Sequence, residues 1–579
     1  MKGDFSRSTF DPKKHFSGVR MQQGRVQLDA DWNENLDILL RRIETETIDV
    51  IEKCGVPVHD AGFGVVTDFN TLSQAEKDWL TAQGFNTLGA GDFYLTQGRA
   101  YVDGIQIEND NTLPFSQQPF VLPKGQGKIS ADGIYLLYLD VWERLITAIE
   151  DPSIREVALG GPDTTARTQV VWQAALANVG NVGDNITCSD YLHPWPDAST
   201  GKLSARTQPQ DQPTDPCPVP PGAGYKRLEN QLYRVEIHKG TNNGGPTYKW
   251  SRDNGSVVVS IAEFAVDGAN TKIRTTSLGR DDVLGLHEND WVEILDDAAE
   301  LAGQPGTLVQ INKIDPDNVL TLSAPVSGYD INGHPKVRRW DSDGAGGNGI
   351  ALTSGYVDLE GGIQIQFDTT GTYRTGDYWL IPARTVPGQY GDIEWPQDGG
   401  NPAALLPFGI VHHYCKLALL TSTSGAITVE DCRQIFPPLT ELPTGGDECC
   451  SVTVGQGGDY PDIPSAIAAR PTNADWWTIC ILPGQLGIKD TVSVDGAKSL
   501  RINGCGNQCR LLGRKASRYS NLQMDRILNS RVCESRQRLP MERSCLRIRT
   551  ELLLQIAQRS TLLPHRPIQR LACTAGRSR

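Results

Sequence analysis

The sequence predicts a mainly β, multidomain protein. Three observations carry that reading. The 579 residues include 59 glycines and 35 prolines, about one in six, spread along the whole chain, which suits short strands and tight turns. Short alternating or apolar runs recur from residue 93 to residue 437. Only one long stretch shows helical spacing. At this length three or four domains are expected, each able to bury its own core.

The N-terminal segment, residues 1–60, begins with an extended stretch that leads into this one helix. Leu36, Leu40, Ile43 and Thr47 recur at steps of three and four, flanked by Trp32 and Leu39, while Glu34, Asp37, Arg41, Arg42, Glu44 and Glu46 form a polar face of both signs. Asp31 or Asn33 could cap its start, and Gly55-Val56-Pro57 would end it. Such an amphipathic helix packs either on its own domain or on a partner or second copy. The candidate docking residues are therefore Trp32, Leu36, Leu39, Leu40 and Ile43.

Residues 61–275 read as a β-rich body, a sandwich or small barrel. Its strands are Phe93–Thr96, Ala100–Glu108, the buried run Gly133–Trp142, Tyr233–His238 and Val257–Ile261. The proline-dense stretch Gly201–Gly224 reads as a long loop. Residues 276–349 look like a small barrel inserted in the body, with runs at Trp291–Leu295, Gly306–Ile311 and Val319–Leu322. Residues 350–437 supply a second β segment, and 438–450 a Pro- and Gly-rich linker. Beyond it, Val452-Thr-Val, Trp477-Thr-Ile-Cys-Ile and Leu500-Arg-Ile-Asn lie about one solenoid coil apart, around a short helical cap at Asp459–Ala469. This opening resembles a pectin-lyase-like right-handed parallel β-helix over residues 451–513, with too few coils to be complete.

The composition breaks at residue 514. From Arg514 to Arg579 there are 14 Arg and one Lys against four acids, a net of +11, in a chain whose total is −14. That segment has one glycine and no tryptophan. A basic arm and a helical extension are two readings of it. The favoured one is a disordered tail of out-of-frame text, a frameshift near Gly513.

The preceding 513 residues therefore carry −25, which argues against general nucleic-acid binding. No apolar run is long enough to span a membrane, and MKGDFSRSTF lacks the apolar core of a Sec signal. Synthesis and assembly in the cytoplasm follow, with release in a larger particle as a further option. Thirteen scattered cysteines without a CxxC pair read as buried free thiols; bridges among Cys449, Cys450, Cys480, Cys505 and Cys509 are the alternative for an extracellular particle.

No catalytic, cofactor or metal site emerges. His412 and His413 sit within a strand pattern, where neighbours point to opposite faces and cannot share one ion. Asp341 and Asp343 lie two apart, as in a calcium loop, but the glycine is misplaced and no closing glutamate follows. Nucleophile-elbow, zincin, phosphate-loop and dinucleotide-binding signatures are all absent from the sequence.

Several segments together identify a likeness. They are Met1-Lys-Gly-Asp-Phe, Met21–Glu34, Asp140-Val-Trp-Glu-Arg, Ile154–Asp163, Asn230–His238, Lys249–Gly255 and Arg374–Arg384. Over residues 1–440 the chain resembles a bacterial family of unknown molecular function, encoded among the genes of phage-tail-like contractile injection systems. The resemblance implies a structural baseplate or tail-associated part whose partners are other particle proteins. A completed β-helix would serve as a fibre or spike, with a surface glycan as target and a homotrimer as the implied assembly. The alternative is a polysaccharide lyase or hydrolase whose catalytic coils this chain lacks.

Overall fold

The computed structural model describes residues 1–441 except 121–127, 162, 208–223, 265–270, 343–345 and 387–388. Beyond these it describes residues 451–469 without 456, and the strands at 477–481, 485–486, 500–504, 509–511 and 571–573. The chain divides into two compact units, Met1–Phe436 and Pro437–Arg579. Strand outweighs helix by more than two to one, as the turn-rich composition predicts.

The first unit is built around three main cores. In the first, strands Gly133–Ile146 and Arg167–Gly180 pair antiparallel over their whole lengths, joined by His413–Thr423 and Ala426–Asp431. Alternation sets the faces: Leu137, Leu139 and Val141 point inward with Trp172, Ala174 and Leu417. They pack on Phe63, Phe93, Leu95, Val102, Ile107 and Phe115, which come from the smaller sheets of residues 54–114 and the turns beside them. The result is a sandwich.

The second core lies between a five-stranded sheet built around Gln231–Lys239 and a three-stranded sheet that includes Ile363–Phe367. Here the structure corrects one reading. The stretch 201–224 is not all loop: Leu203–Thr207 is a strand paired with Ile363–Phe367, and Leu203 and Ala205 are buried. Three alternating residues ahead of a proline-rich run are too short a pattern to stand out.

The third core fills a closed six-stranded barrel from Val258 to Trp340. It starts earlier than the 276–349 span read from sequence, taking in Val258–Phe264 and Lys272–Thr275 as staves. Val259, Ile261, Ile273, Val292, Ile294, Val309, Ile311 and Val337 fill its interior in strict alternation.

Two local features were missed from sequence. A helix at Gln74–Ala82 is opened by Ser73 and Glu76, each bonding the other's backbone, and anchors Leu80 in a small core with Leu72 and Tyr94. Cys188 and Cys432 form a disulfide across 244 residues of chain, correcting the free-thiol reading for that pair; Cys54 and Cys415 remain free. Cys480, one of the cysteines placed in the alternative pairing set, is also disulfide-bonded. Because the 188–432 bridge closes so long a loop, Cys188→Ser is expected to cost about 2–4 kcal/mol. Urea unfolding of the variant, compared with the oxidised and reduced parent, measures it.

In the second unit, Val452–Val454, Trp477–Ile481 and Leu500–Gly504 form a parallel sheet, with Val452 opposite Ile479 and Ile479 opposite Ile502. A short helix, Ile463–Ala468, is capped by Asp462, whose carboxylate accepts from the Ser465 amide at 2.8 Å. In the segment read as a disordered tail, Leu571–Cys573 is a strand pairing antiparallel with Gln485–Leu486 and Cys509–Leu511. The rest of 514–579, and 442–450 of the linker, lie outside the described residues.

Candidate functional site

The long helix, here α1, runs from Asp29 to Ile51. It starts two residues before Asp31, so Asp31 does not cap it from outside. Its carboxylate instead accepts from the Leu28 amide at 3.3 Å, closing the first turn. The helix stops at Glu52, whose positive φ turns the chain into strand Cys54–Pro57.

One side of α1 is seated on the body. Ala30 and Ile38 are its only fully buried residues. Polar contacts tie its first turns to the segment that precedes it: Asp29 accepts from the Ser6 amide and hydroxyl at 2.8 and 2.6 Å, Glu34 from the Thr9 hydroxyl at 2.5 Å, and Asn35 from the Val19 amide at 3.0 Å. Gly104, at φ +87°, turns directly under the helix, where a Cβ would lie 2.5 Å from the Glu44 carbonyl oxygen; no larger residue fits. Burial, reinforced by Glu34 for Asp37 and by Glu143 for Glu44, raises the pKa of both carboxyls on this side.

The opposite side carries every docking residue read from the sequence. Trp32, Leu36, Leu39, Leu40 and Ile43 are all brought onto one face and are 38–67% exposed, with Val50 continuing the stripe. Soluble proteins seldom leave such a contiguous apolar strip in water without a use for it.

The segment before α1 threads into the body and meets a buried charge network. Along strand Gln231–Lys239, Tyr233, Val235 and Ile237 enter the second core, so Arg234, Glu236 and His238 point the other way. That side is not solvent, because the barrel residues Glu293 and Trp340 meet it. Glu236 accepts from Arg234 Nε at 2.6 Å and pairs with Lys2 Nζ at 3.0 Å and Lys249 Nζ at 3.3 Å. Lys249 also reaches Glu293 at 2.5 Å, and its ammonium lies 4.4 Å from the Trp340 ring centroid. The indole nitrogen of Trp340 donates to Glu293 at 3.0 Å. Arg234 stacks on Tyr378 at 3.6 Å. Asn254 donates to the carbonyls of Met1 and Gly3, fixing the segment in place.

Burial alone would raise the carboxyl pKa values of Glu236 and Glu293. For Glu236, Lys2, Arg234 and Lys249 overcome it and hold the group well below the usual carboxylate range. For Glu293, mainly Lys249 and Lys2 bring the value down to about 2. His238 is pushed down to about 4 by burial and by Lys249, so it is neutral at pH 7.

The other candidate ligands are spent on internal pairing. His412 and His413 face separate carboxylates, Asp140 at 2.6 Å and Asp103 at 3.0 Å, and share no site. Asp341 accepts from the Arg252 amide at 2.9 Å and lies near the Arg252 and Arg339 guanidinium groups; Asp343 lies outside the described residues. The acidic trio Glu150, Asp297 and Glu300 has oxygens close enough to hold a metal ion. The Lys336 ammonium already occupies that place, 2.5 Å from Glu150 and 2.7 Å from Glu300.

These features define a β scaffold that pairs charge in its interior and presents one apolar helical face outside. The chain belongs to DUF6519, a family of unknown function, whose profile matches residues 1–190 and 195–468. The match runs past residue 440 into the first strand and short helix of the second unit. Comparison with curated proteins and with solved structures finds no match. No helix among the described residues is long and apolar enough to cross a membrane.

Proposed function

We propose that this chain is a structural, baseplate- or tail-associated component of a contractile phage-tail-like particle, assembled through the outer face of α1. The observation that carries the reading is the exposed stripe Trp32–Leu36–Leu39–Leu40–Ile43 on a helix whose first two turns are bonded to the segment before it. A helix held rigid before binding loses little further entropy when its apolar face is covered, which suits a permanent assembly contact. The three parallel strands of the second unit support the further reading that a right-handed β-helix begins there, as the base of a fibre or spike that contacts a surface glycan.

The test is co-sedimentation. Particles from cells expressing the parent chain should carry it into the pellet, and Leu39→Asp should leave it in the supernatant with its β content unchanged. Leu39 is exposed, so the charge costs little in the free chain and several kcal/mol in a buried interface. If Leu39→Asp pellets as well as the parent, α1 is not the assembly face.

A further inference from the structure

The stripe's geometry and flanking charges indicate what covers it. Trp32 and Ile43 are eleven residues apart, about three helical turns, and Leu36 and Leu39 lie between them on the same face. These four residues are thus symmetric about a point between Leu36 and Leu39, with Leu40 beside them. A second α1 laid antiparallel across that point places its Ile43 against Trp32 and its Leu39 against Leu36.

The charges are centred one residue from the same point. Asp31 and Arg42 are also eleven apart and share one flank of the stripe. Arg42 is exposed and makes no ion pair among the described residues. In the antiparallel arrangement Asp31 of each copy lies only two residues, about 3 Å, along the axis from Arg42 of the other, a gap the long arginine side chain spans to give two identical ion pairs. Antiparallel helices also set opposite dipole ends side by side. The exposed parts of Trp32, Leu36, Leu39, Leu40 and Ile43 offer roughly 500 Å² per copy, so a pair reaches the ~1,000 Å² at which specific interfaces begin.

We infer that the occupant of the α1 stripe is a second copy of this chain, paired antiparallel about a two-fold axis between Leu36 and Leu39. The inference rests on the assembly reading above and names its partner.

Sedimentation of the full chain over a concentration series tests it. A dimer is expected for the parent and a monomer for Leu39→Asp. Arg42→Asp and Asp31→Arg should each weaken self-association on the order of tenfold, because each sets two like-charge pairs at the interface. Mixing the two single variants should restore a dimer, since the mixed pair has opposite charges at both contacts. Circular dichroism of each variant checks that α1 survives the loss of the Asp31 contact to Leu28. A parent that is monomeric or trimeric, or single variants that show no rescue on mixing, overturns the two-fold pairing. A monomeric parent whose co-sedimentation Leu39→Asp still abolishes would overturn this inference while leaving the assembly reading intact, with a different protein on the stripe.

Discussion

Replacing Glu236 with alanine is expected to destabilise the first unit by about 3–5 kcal/mol, the range for removing one partner from a buried ion cluster. Glu236 is 2% exposed and receives Lys2, Arg234 and Lys249. Without it, three cations in a buried seam between sheet and barrel lose their shared carboxylate, and Glu293 is left to balance Lys2 and Lys249. Urea unfolding at pH 7, followed by tryptophan fluorescence, should show the midpoint falling steeply. Glu263→Ala is the control: its partner Arg274 is 3.3 Å away and both side chains are about half exposed, so the midpoint should move by no more than about 1 kcal/mol's worth. Equal midpoints for the two variants would show that the network contributes nothing beyond surface pairing.

Acid should unfold the protein abruptly below about pH 4.5. Glu293 and Glu300 have folded pKa values brought down to about 2, the latter chiefly by Lys336 against the opposing effect of burial, and Glu236 is held lower still. A carboxylate depressed in the folded state adds stability that is complete above its unfolded value, near 4.5, and is lost as pH falls toward the folded one. Three such groups give a slope approaching about 4 kcal/mol per pH unit. Two other groups act earlier and oppose each other. His238, lowered to about 4, favours the unfolded chain as pH drops below its ordinary 6.5. Asp253, raised to about 6 by burial and by Asp341, takes up its proton first in the folded state and so favours folding over the same interval. The expected profile is nearly level from pH 7 to 5, then steep. A steady decline beginning near pH 6.5 would show that His238 prevails and that the carboxylate network is weaker than its geometry implies.

The helix and its outer stripe were legible because a face that repeats every three to four residues is a local property of sequence. The barrel staves Trp291–Leu295 and Val319–Leu322 were legible for the same reason, through period-two alternation. The charge network was not. Arg234, Glu236 and His238 occupy alternate positions on a strand whose other side is apolar, the pattern of a solvated face. Only the barrel, encoded more than twenty residues later, makes that face an interior. Nothing local distinguishes Lys2 from any other lysine, or pairs Cys188 with Cys432. Yet several segments that carried the family resemblance meet here: Met1–Phe5, Asn230–His238, Lys249–Gly255 and the stretch containing Tyr378. Those segments, far apart in sequence, together build the seam between sheet and barrel.

The threading of the first residues into the body also constrains how the protein is made. Arg7 bonds Glu394, 387 residues further on, and strand Cys54–Pro57 pairs with Ile435–Phe436 at the far end of the unit. At ribosomal speeds of about 5–20 residues per second, the amino-terminal segment waits roughly 20–80 s for its partners to emerge. Through that interval the lysine and arginine side chains of the segment stay hydrated, and the apolar stripe of α1 can form before the body that will seat it. The unit cannot close until synthesis has passed residue 436. Closure is therefore a late event on the ribosome, and a nascent chain stalled before that point exposes its barrel-facing charges and its helix together, as a substrate for chaperones rather than a smaller working protein.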